Sequence, residues 1–138
     1  MRKAVIDSSV TLGFILRDEQ SAFAIRVFDA LENVAEIYVP SLWWIETANG
    51  LLMAERRKRI SQNETFEALQ TIQKLSVQTD MDGASQAVLE TVALARQYRL
   101  TVYDAAYLEL TLRMKATLAT ADRALINAAK EAGVSVLV

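Results

Sequence analysis

Two acidic residues stand directly after short segments that have the composition of buried strands. Asp7 follows residues 3–6, and Asp122 comes two residues after the segment 117–120. In open α/β sheets, ligands bind in the crevice outside the carboxyl ends of the strands, so we expect both carboxylates at that crevice. The alternative is that each aspartate only caps the helix that follows it, because Asp is a favoured N-cap residue.

Two further acidic residues fall in segments with a helical pattern. Glu46 lies inside a helix that begins near Ser41, and its neighbours three and four residues away are apolar, small or amide side chains. A carboxylate on that side needs a partner or a metal ion, the alternative being a half-exposed glutamate paired with an arginine. Asp104 opens a helix predicted over residues 103–114, where capping is again the alternative.

The absence of two residue types restricts the chemistry that these acids could perform. The chain has no Cys and no His. This excludes disulfides, thiolate nucleophiles, His-based ribonucleases, Ser-His-Asp hydrolases and the usual zinc sites. Four converging carboxylates would repel one another, and a divalent cation would remove that conflict. Mg²⁺ and Mn²⁺ favour oxygen ligands, and such ions activate water for phosphodiester hydrolysis.

The elements that must position these acids alternate between short strands and amphipathic helices. Strands are predicted at residues 3–6, 36–39, 77–79, 117–120 and 134–138. Helices are predicted at residues 9–16, 21–31, about 41–57, 61–74, 83–99, 103–114 and 122–131, with Pro40 at the turn or first helical position before the third and Gly133 as the last C-terminal stop. This order is typical of an α/β fold with a mainly parallel sheet.

The composition indicates one ordinary soluble domain spanning residues 1–138. Of the 138 residues 52% are hydrophobic, which allows a real core, and the formal net charge is −2. No apolar run approaches the roughly 18 residues of a membrane span, and an acid interrupts the N-terminal apolar stretch too early for a signal peptide. We therefore expect a cytoplasmic protein that touches any nucleic acid through a local basic patch only.

Two further features belong to the helix predicted around Glu46 and to its end. The run Arg56, Arg57, Lys58 and Arg59 either forms a solvated helix end that complements the helix dipole or offers a track for RNA phosphates. Trp43 and Trp44 are adjacent and point about 100° apart on a helix. We expect one of them in the core, while the other could face a groove for a partner.

Four short motifs in the right order resemble PIN-domain proteins, particularly VapC-type toxins of type II toxin–antitoxin pairs. They are Val-Ile-Asp-Ser-Ser at residues 5–9, Glu-Thr-Ala-Asn at 46–49, Tyr-Asp-Ala-Ala-Tyr-Leu-Glu-Leu at 103–110 and Leu-Ala-Thr-Ala-Asp-Arg-Ala-Leu at 118–125. The ending at residues 128–134 is also similar to that family.

The resemblance implies a three-layer α/β/α sandwich with a central, mainly parallel sheet and the activity of a metal-dependent endoribonuclease. It implies Asp7, Glu46, Asp104 and Asp122 as metal ligands and catalytic acids around Mg²⁺, with Mn²⁺ as an alternative. It implies that Thr120 helps to orient a water molecule, and that Asn49 and Ser8 support the acids. It also implies RNA as the substrate, a homodimer and a small cognate antitoxin.

Three other functions stay open at this stage. A PIN-domain nuclease in RNA processing would share the acids but have no antitoxin, and a non-catalytic PIN-like module would only bind. A receiver-like regulatory domain is the third. It would be expected to carry an acidic pair after its first strand and a late lysine, whereas two serines follow Asp7 here.

Overall fold

A five-stranded parallel sheet forms the centre of the part of the chain that the computed structural model describes, residues 2–16, 21–32 and 35–137. Its strands, in chain order, are β1 (Arg2–Ile6), β2 (Ala35–Pro40), β3 (Val77–Asp80), β4 (Thr117–Ala119) and β5 (Val136–Leu137). In space they follow the order β3-β2-β1-β4-β5, and each pair of neighbours is parallel.

Helices fill the connections between these strands. Within the described residues they are α1 (Ser8–Leu16), α2 (Ser21–Leu31), α3 (Leu42–Arg56), α4 (Gln62–Gln73), α5 (Gly83–Gln86), α6 (Val88–Tyr98), α7 (Val102–Met114) and α8 (Arg123–Glu131). None of the helices in these ranges is both long and apolar enough to cross a membrane.

The strand order decides which face of the sheet each helix covers. From β1 the chain moves outward to β2 and β3, then returns past β1 to β4 and β5. Because crossovers between parallel strands are right-handed, the two directions of travel put α1–α4 on one face and α5–α8 on the other. The predicted α/β/α sandwich with a parallel sheet is therefore confirmed.

The reversal of strand order creates a crevice between the carboxyl ends of β1 and β4. The backbone N–H of Asp7 donates to the carbonyl of Ala119 over 3.1 Å, so the two strand ends stay together up to that point. Val5 and Ile6 are fully buried below it, as are Leu118 and Ala119. Packing on both faces of these apolar strands fixes the position of the residues that follow them.

Local sequence signals mark both the starts and the ends of several helices. Ser61 and Glu64 form both hydrogen bonds of a capping box at the start of α4, at 3.1 and 3.0 Å. The Thr101 hydroxyl accepts from the Asp104 N–H over 3.1 Å and caps α7. Gly133 follows α8 with a φ of +79°, the left-handed conformation expected of a glycine stop.

Some predicted boundaries are wrong, each for a local reason. The helix predicted over residues 83–99 is two helices, because the backbone leaves helical geometry at Ala87. Pro40 was predicted at the turn or the first helical position, but it is the last residue of β2 and pairs with Asp80. A proline fits at the end of a strand, because the N–H group that it lacks is not needed there for a further hydrogen bond between strands. The last strand, β5, is shorter than the predicted range of residues 134–138. Val138, the final residue of the predicted range, lies outside the described residues.

Candidate active site

Asp7 lies at the carboxyl end of β1 with only 6% of its surface exposed. Its carboxylate accepts hydrogen bonds from the Ser9 hydroxyl at 2.5 Å, from the Thr120 hydroxyl and from the Val10 N–H at 3.3 Å. Burial raises the pKa of Asp7 to about 6, against the opposing effect of the two hydroxyl donors. At neutral pH this site therefore holds a desolvated negative charge without a cationic partner in the described residues.

Asp122 faces Asp7 from the end of β4. Its Oδ1 accepts from the Leu125 N–H at 2.9 Å and caps α8, so the capping role weighed for this residue is real. Thr120 connects the two aspartates, because its fully buried hydroxyl donates to Asp7 and accepts from the Asp122 N–H at 3.0 Å. The charge of Asp122 contributes to the raised pKa of Asp7, which places the two carboxylates in each other's field.

Glu46 enters the crevice from the first turns of α3 and is half-buried. Its partner is a tyrosine and not the arginine considered above. The Tyr107 hydroxyl donates to Glu46 Oε1 over 2.6 Å. Tyr107 belongs to α7, so this bond joins helices from opposite faces of the sheet across its carboxyl edge.

Asp104 lies in the first turn of α7, half-buried, and does not cap that helix. Thr101 performs the capping, which leaves the Asp104 carboxylate free of that role. Burial raises the pKa of Asp104 most, followed by the charges of Asp122 and of Glu46. The four predicted acids are thus linked in one electrostatic neighbourhood, Asp7 with Asp122 and Asp104 with both Asp122 and Glu46.

The chemistry of this donor set fits a hard divalent cation. All ligand candidates are carboxylate oxygens, none of the four is in an ion pair within the described part of the chain, and their mutual repulsion is relieved by positive charge. In residues 2–16, 21–32 and 35–137, however, no three acidic side chains stand in an arrangement that could hold an ion as they are. The four acids therefore match a divalent cation in ligand type and in charge, and not in their present arrangement.

Comparison with known proteins identifies the family. The family model described as PIN domain matches residues 4–131 of the chain. The chain belongs to the PIN-domain family. Ribonuclease VapC9 from Mycobacterium tuberculosis is 32% identical to it over 86% of the chain and 84% of that protein. Ribonuclease VapC3 from Pyrobaculum aerophilum is 28% identical over 89% of the chain and 92% of its own length. The predicted resemblance to VapC-type PIN proteins is confirmed.

Solved structures show the same fold. The crystal structure of PAE2754 from Pyrobaculum aerophilum superposes with a TM-score of 0.71 at 20% identity, covering 99% of this chain and 84% of that one. A toxin–antitoxin complex from Klebsiella pneumoniae superposes with a TM-score of 0.56 at 21% identity, covering 86% of each chain.

The remaining predicted site residues of this PIN domain differ in how close they lie to the acids. Ser8 is half-buried and hydrogen-bonds the Tyr107 hydroxyl, next to the Glu46 contact. Asn49 is exposed and its side chain makes no hydrogen bond within the described residues, so its supporting role stays a prediction. The run Arg56, Arg57, Lys58 and Arg59 is exposed at the far end of α3, about 15 Å along the helix from Glu46.

Sequence reasoning missed two residues of the site and one neighbouring cluster. Ser9 and Tyr107 belong to the motifs at residues 5–9 and 103–110, but no role at the site was predicted for either. The Ser9 hydroxyl binds Asp7, and the Tyr107 hydroxyl binds Glu46 although the tyrosine is only 1% exposed. Arg113 binds both Asp80 and Glu109, at 2.7 and 2.8 Å. The spacing of Glu109 and Arg113, four residues apart on a helix, was a signal that could have revealed half of this cluster.

Proposed function

We propose that this chain is a metal-dependent endoribonuclease and the toxin component of a type II toxin–antitoxin pair. The observation that carries the proposal is that Asp7, Glu46, Asp104 and Asp122 lie within one another's electrostatic field around the switch point of a parallel sheet, without a cationic partner in the described residues. Family membership supports it, and the relatives VapC3 and VapC9 are ribonucleases by name.

Mg²⁺, or Mn²⁺ in its place, would be held by these four carboxylates. When bound, such an ion lowers the pKa of a coordinated water and neutralises charge on the phosphate that is attacked. The reaction class that follows is hydrolysis of an RNA phosphodiester by water. The chain contributes no His, so no imidazole is available to activate a 2′-hydroxyl.

The side chains of the protein have separate tasks in this scheme. Ser9 and Thr120 fix both oxygens of Asp7 and keep its carboxylate ionised, since hydrogen bonds to the charged form oppose the effect of burial. Asp122 is oriented through the Leu125 N–H, and the Asp104 carboxylate at the start of α7 is hydrogen-bonded by the Thr101 side chain. We assign Thr120 the orientation of Asp7, since its hydroxyl is fully buried.

RNA contacts beyond the scissile phosphate are assigned to Arg56, Arg57, Lys58 and Arg59. Their distance along α3 from Glu46 means that they meet phosphates of a longer substrate and not the bond that is cleaved. Such contacts supply sequence-independent affinity to a protein whose overall charge is negative.

The proposed partners are a small antitoxin and a second copy of the chain, and the proposed place of action is the cytoplasm, where cellular RNA is found. An apolar rim supports the homodimer. We define it as Ile45, Met81, Val88, Leu89, Val102 and Tyr103, all exposed, with Ile45 at 73% and Leu89 at 80%. Val88, Val102 and Tyr103 also line a cavity of about 210 Å³ beside β3. A second copy would remove this apolar surface from water.

Incubation of purified protein with total cellular RNA tests the function. We expect fragments with Mg²⁺ or Mn²⁺, none with EDTA, and 5′-phosphate ends on the products. Fragments with 2′,3′-cyclic phosphate ends would contradict water as the attacking group. Co-expression with the product of a small neighbouring reading frame should suppress both cleavage and growth arrest, whereas a PIN-domain RNA-processing nuclease would not arrest growth when expressed alone.

A further inference from the structure

The contact between Tyr107 and Glu46 is the only side-chain hydrogen bond in the described residues that joins α3 to α7. These helices lie on opposite faces of the sheet, and the bond crosses its carboxyl edge, where the four acids meet. The two residues are 61 positions apart in the chain. Nothing in the local sequence of either helix requires this pair, so tertiary packing alone brings them together.

Tyr107 is built to keep its hydroxyl in one place. The ring is buried among core residues with 1% of its surface exposed, whereas the hydroxyl reaches Glu46 and is contacted by Ser8. A buried hydroxyl that lost its acceptor would keep the cost of desolvation, so the bond to the carboxylate is strongly favoured. A tyrosine hydroxyl is protonated at neutral pH, so it can donate to the carboxylate.

Glu46 needs such an anchor more than Asp7 and Asp122 do. Asp7 is held by hydroxyls on both oxygens, and Asp122 is held by a backbone N–H. Glu46 is half-buried on a longer side chain, and its hydrogen bond within the described residues comes from Tyr107. Without that donor the side chain would regain rotamer freedom, which an ion would have to remove again on binding.

We propose that Tyr107 is a positioning residue of the metal site, whose hydroxyl holds Glu46 in the crevice ready for the cation. This inference rests on the proposed function, because it takes Glu46 as a ligand. Tyr107 acts through Glu46 and not on the ion. Residues that hold ligating carboxylates in this way affect metal affinity by about 10–100-fold.

The test is the affinity for Mn²⁺, measured without RNA by electron paramagnetic resonance of the free ion. In Tyr107→Phe the ring is kept and one oxygen is lost, and we expect Mn²⁺ to bind about 10-fold or more weakly. Tyr38→Phe is the matched control, because Tyr38 donates to Glu36 over 2.8 Å on β2 outside the four acids. Near-UV circular dichroism of both variants checks that the fold is retained.

A second comparison separates action through Glu46 from a general loss of packing. In a Glu46→Gln background, Tyr107→Phe should cause little further loss of Mn²⁺ affinity. An unchanged affinity in Tyr107→Phe, or an equal loss in the Glu46→Gln background, would overturn the inference while leaving the nuclease intact. A wild-type protein that binds no Mn²⁺ would instead overturn the proposed metal site, and this inference with it.

Discussion

At the scale of single residues, Asp7 combines burial with negative charge. Its surface is 6% exposed, and the negative charge of Asp122 disfavours its ionised form. In the described residues only neutral hydrogen-bond donors stabilise that charge. An acid whose pKa is higher in the folded than in the unfolded state destabilises the fold once it ionises. Stability therefore falls as pH rises from about 4 to about 6, and the full cost is present above that range.

We predict that Asp7→Asn stabilises the protein in EDTA at pH 8. The change of pKa from 3.8 to about 6 corresponds to a cost on the order of 3 kcal/mol, which the neutral amide avoids. Thermal unfolding at pH 8 and pH 4 measures this. The gain should shrink at pH 4, where the wild-type carboxyl is largely protonated. A variant less stable than wild type at pH 8 would show that the hydroxyl contacts outweigh the burial of charge.

Positions at strand ends explain why the acids could be found from the sequence. Asp7 and Asp122 each follow an apolar run, and the rule that parallel strands present their carboxyl ends to one crevice needs no coordinates. The partner of Glu46 could not be found in this way. Tyr107 lies on the apolar face of its helix, and the periodicity that reports burial of a ring carries no information about its hydroxyl.

At the scale of elements, Arg113 connects α7 to the end of β3. Its guanidinium donates to both oxygens of Asp80 and to both oxygens of Glu109, and the Gly83 N–H also binds Asp80 at 3.0 Å. The Arg113 guanidinium holds the pKa of Asp80 below its ordinary value. Since α7 also carries Asp104 and Tyr107, this clamp fixes the helix that supplies one of the four acids and the tyrosine that binds another.

We expect Arg113→Met to lower the free energy of unfolding by about 2 kcal/mol, because it leaves two largely buried carboxylates without their partner. The value allows for the partial exposure of Arg113. Arg96→Met, on the exposed surface of α6, is the control and should change stability by less than about 0.5 kcal/mol. Urea denaturation compares the two. Equal midpoints would mean that the clamp does not stabilise α7.

Helix boundaries that carry a local sequence signal were predicted correctly, whereas the boundary at Ala87, which carries none, was not. The capping box at Ser61 and the glycine at Gly133 mark chain positions at which local hydrogen bonding or a left-handed backbone decides the boundary. The break at Ala87 has no such signal, since Ala favours helix and the segment around it keeps an apolar period. α6 packs against α7, a tertiary contact that the local sequence does not reveal.

At the scale of the whole molecule, the charges are separated along α3. Glu46 lies near its start and the exposed basic run at its end, so acids and cations occupy opposite ends of one helix. The sequence predicted one helix from near Ser41 to residue 57, and α3 is continuous over Leu42–Arg56, so this separation could be predicted. The prediction of a single domain over residues 1–138 stays a prediction.

Replacement of Arg56, Arg57, Lys58 and Arg59 by glutamine should raise KM for a long RNA about 10-fold and reduce its dependence on salt, because each lost phosphate contact reduces the slope. Cleavage of a short oligonucleotide should change little. The control replaces four other exposed cations, Lys74, Arg96, Arg99 and Lys130. Equal effects of both sets would indicate that net charge matters and not the position of the run.

The apolar rim leads to a separate prediction about assembly. Leu89→Arg and Ile45→Arg should convert a dimer into monomers in analytical ultracentrifugation, since each puts a charge into a surface that a second copy covers. Phe66→Arg is the control, because Phe66 is 60% exposed on α4 outside the rim. A wild-type protein that is monomeric at all concentrations tested would contradict the proposed homodimer.

The most direct test of the central claim is RNA cleavage by Asp104→Asn in Mg²⁺. Asp104 does not cap its helix and is not deeply buried, so its loss should leave the fold unchanged. Asp82→Asn is the matched control, an exposed aspartate before α5 whose side chain makes no capping bond. We predict a loss of at least about 100-fold for Asp104→Asn and none for Asp82→Asn. Cleavage by Asp104→Asn at the wild-type rate would contradict the four-carboxylate site.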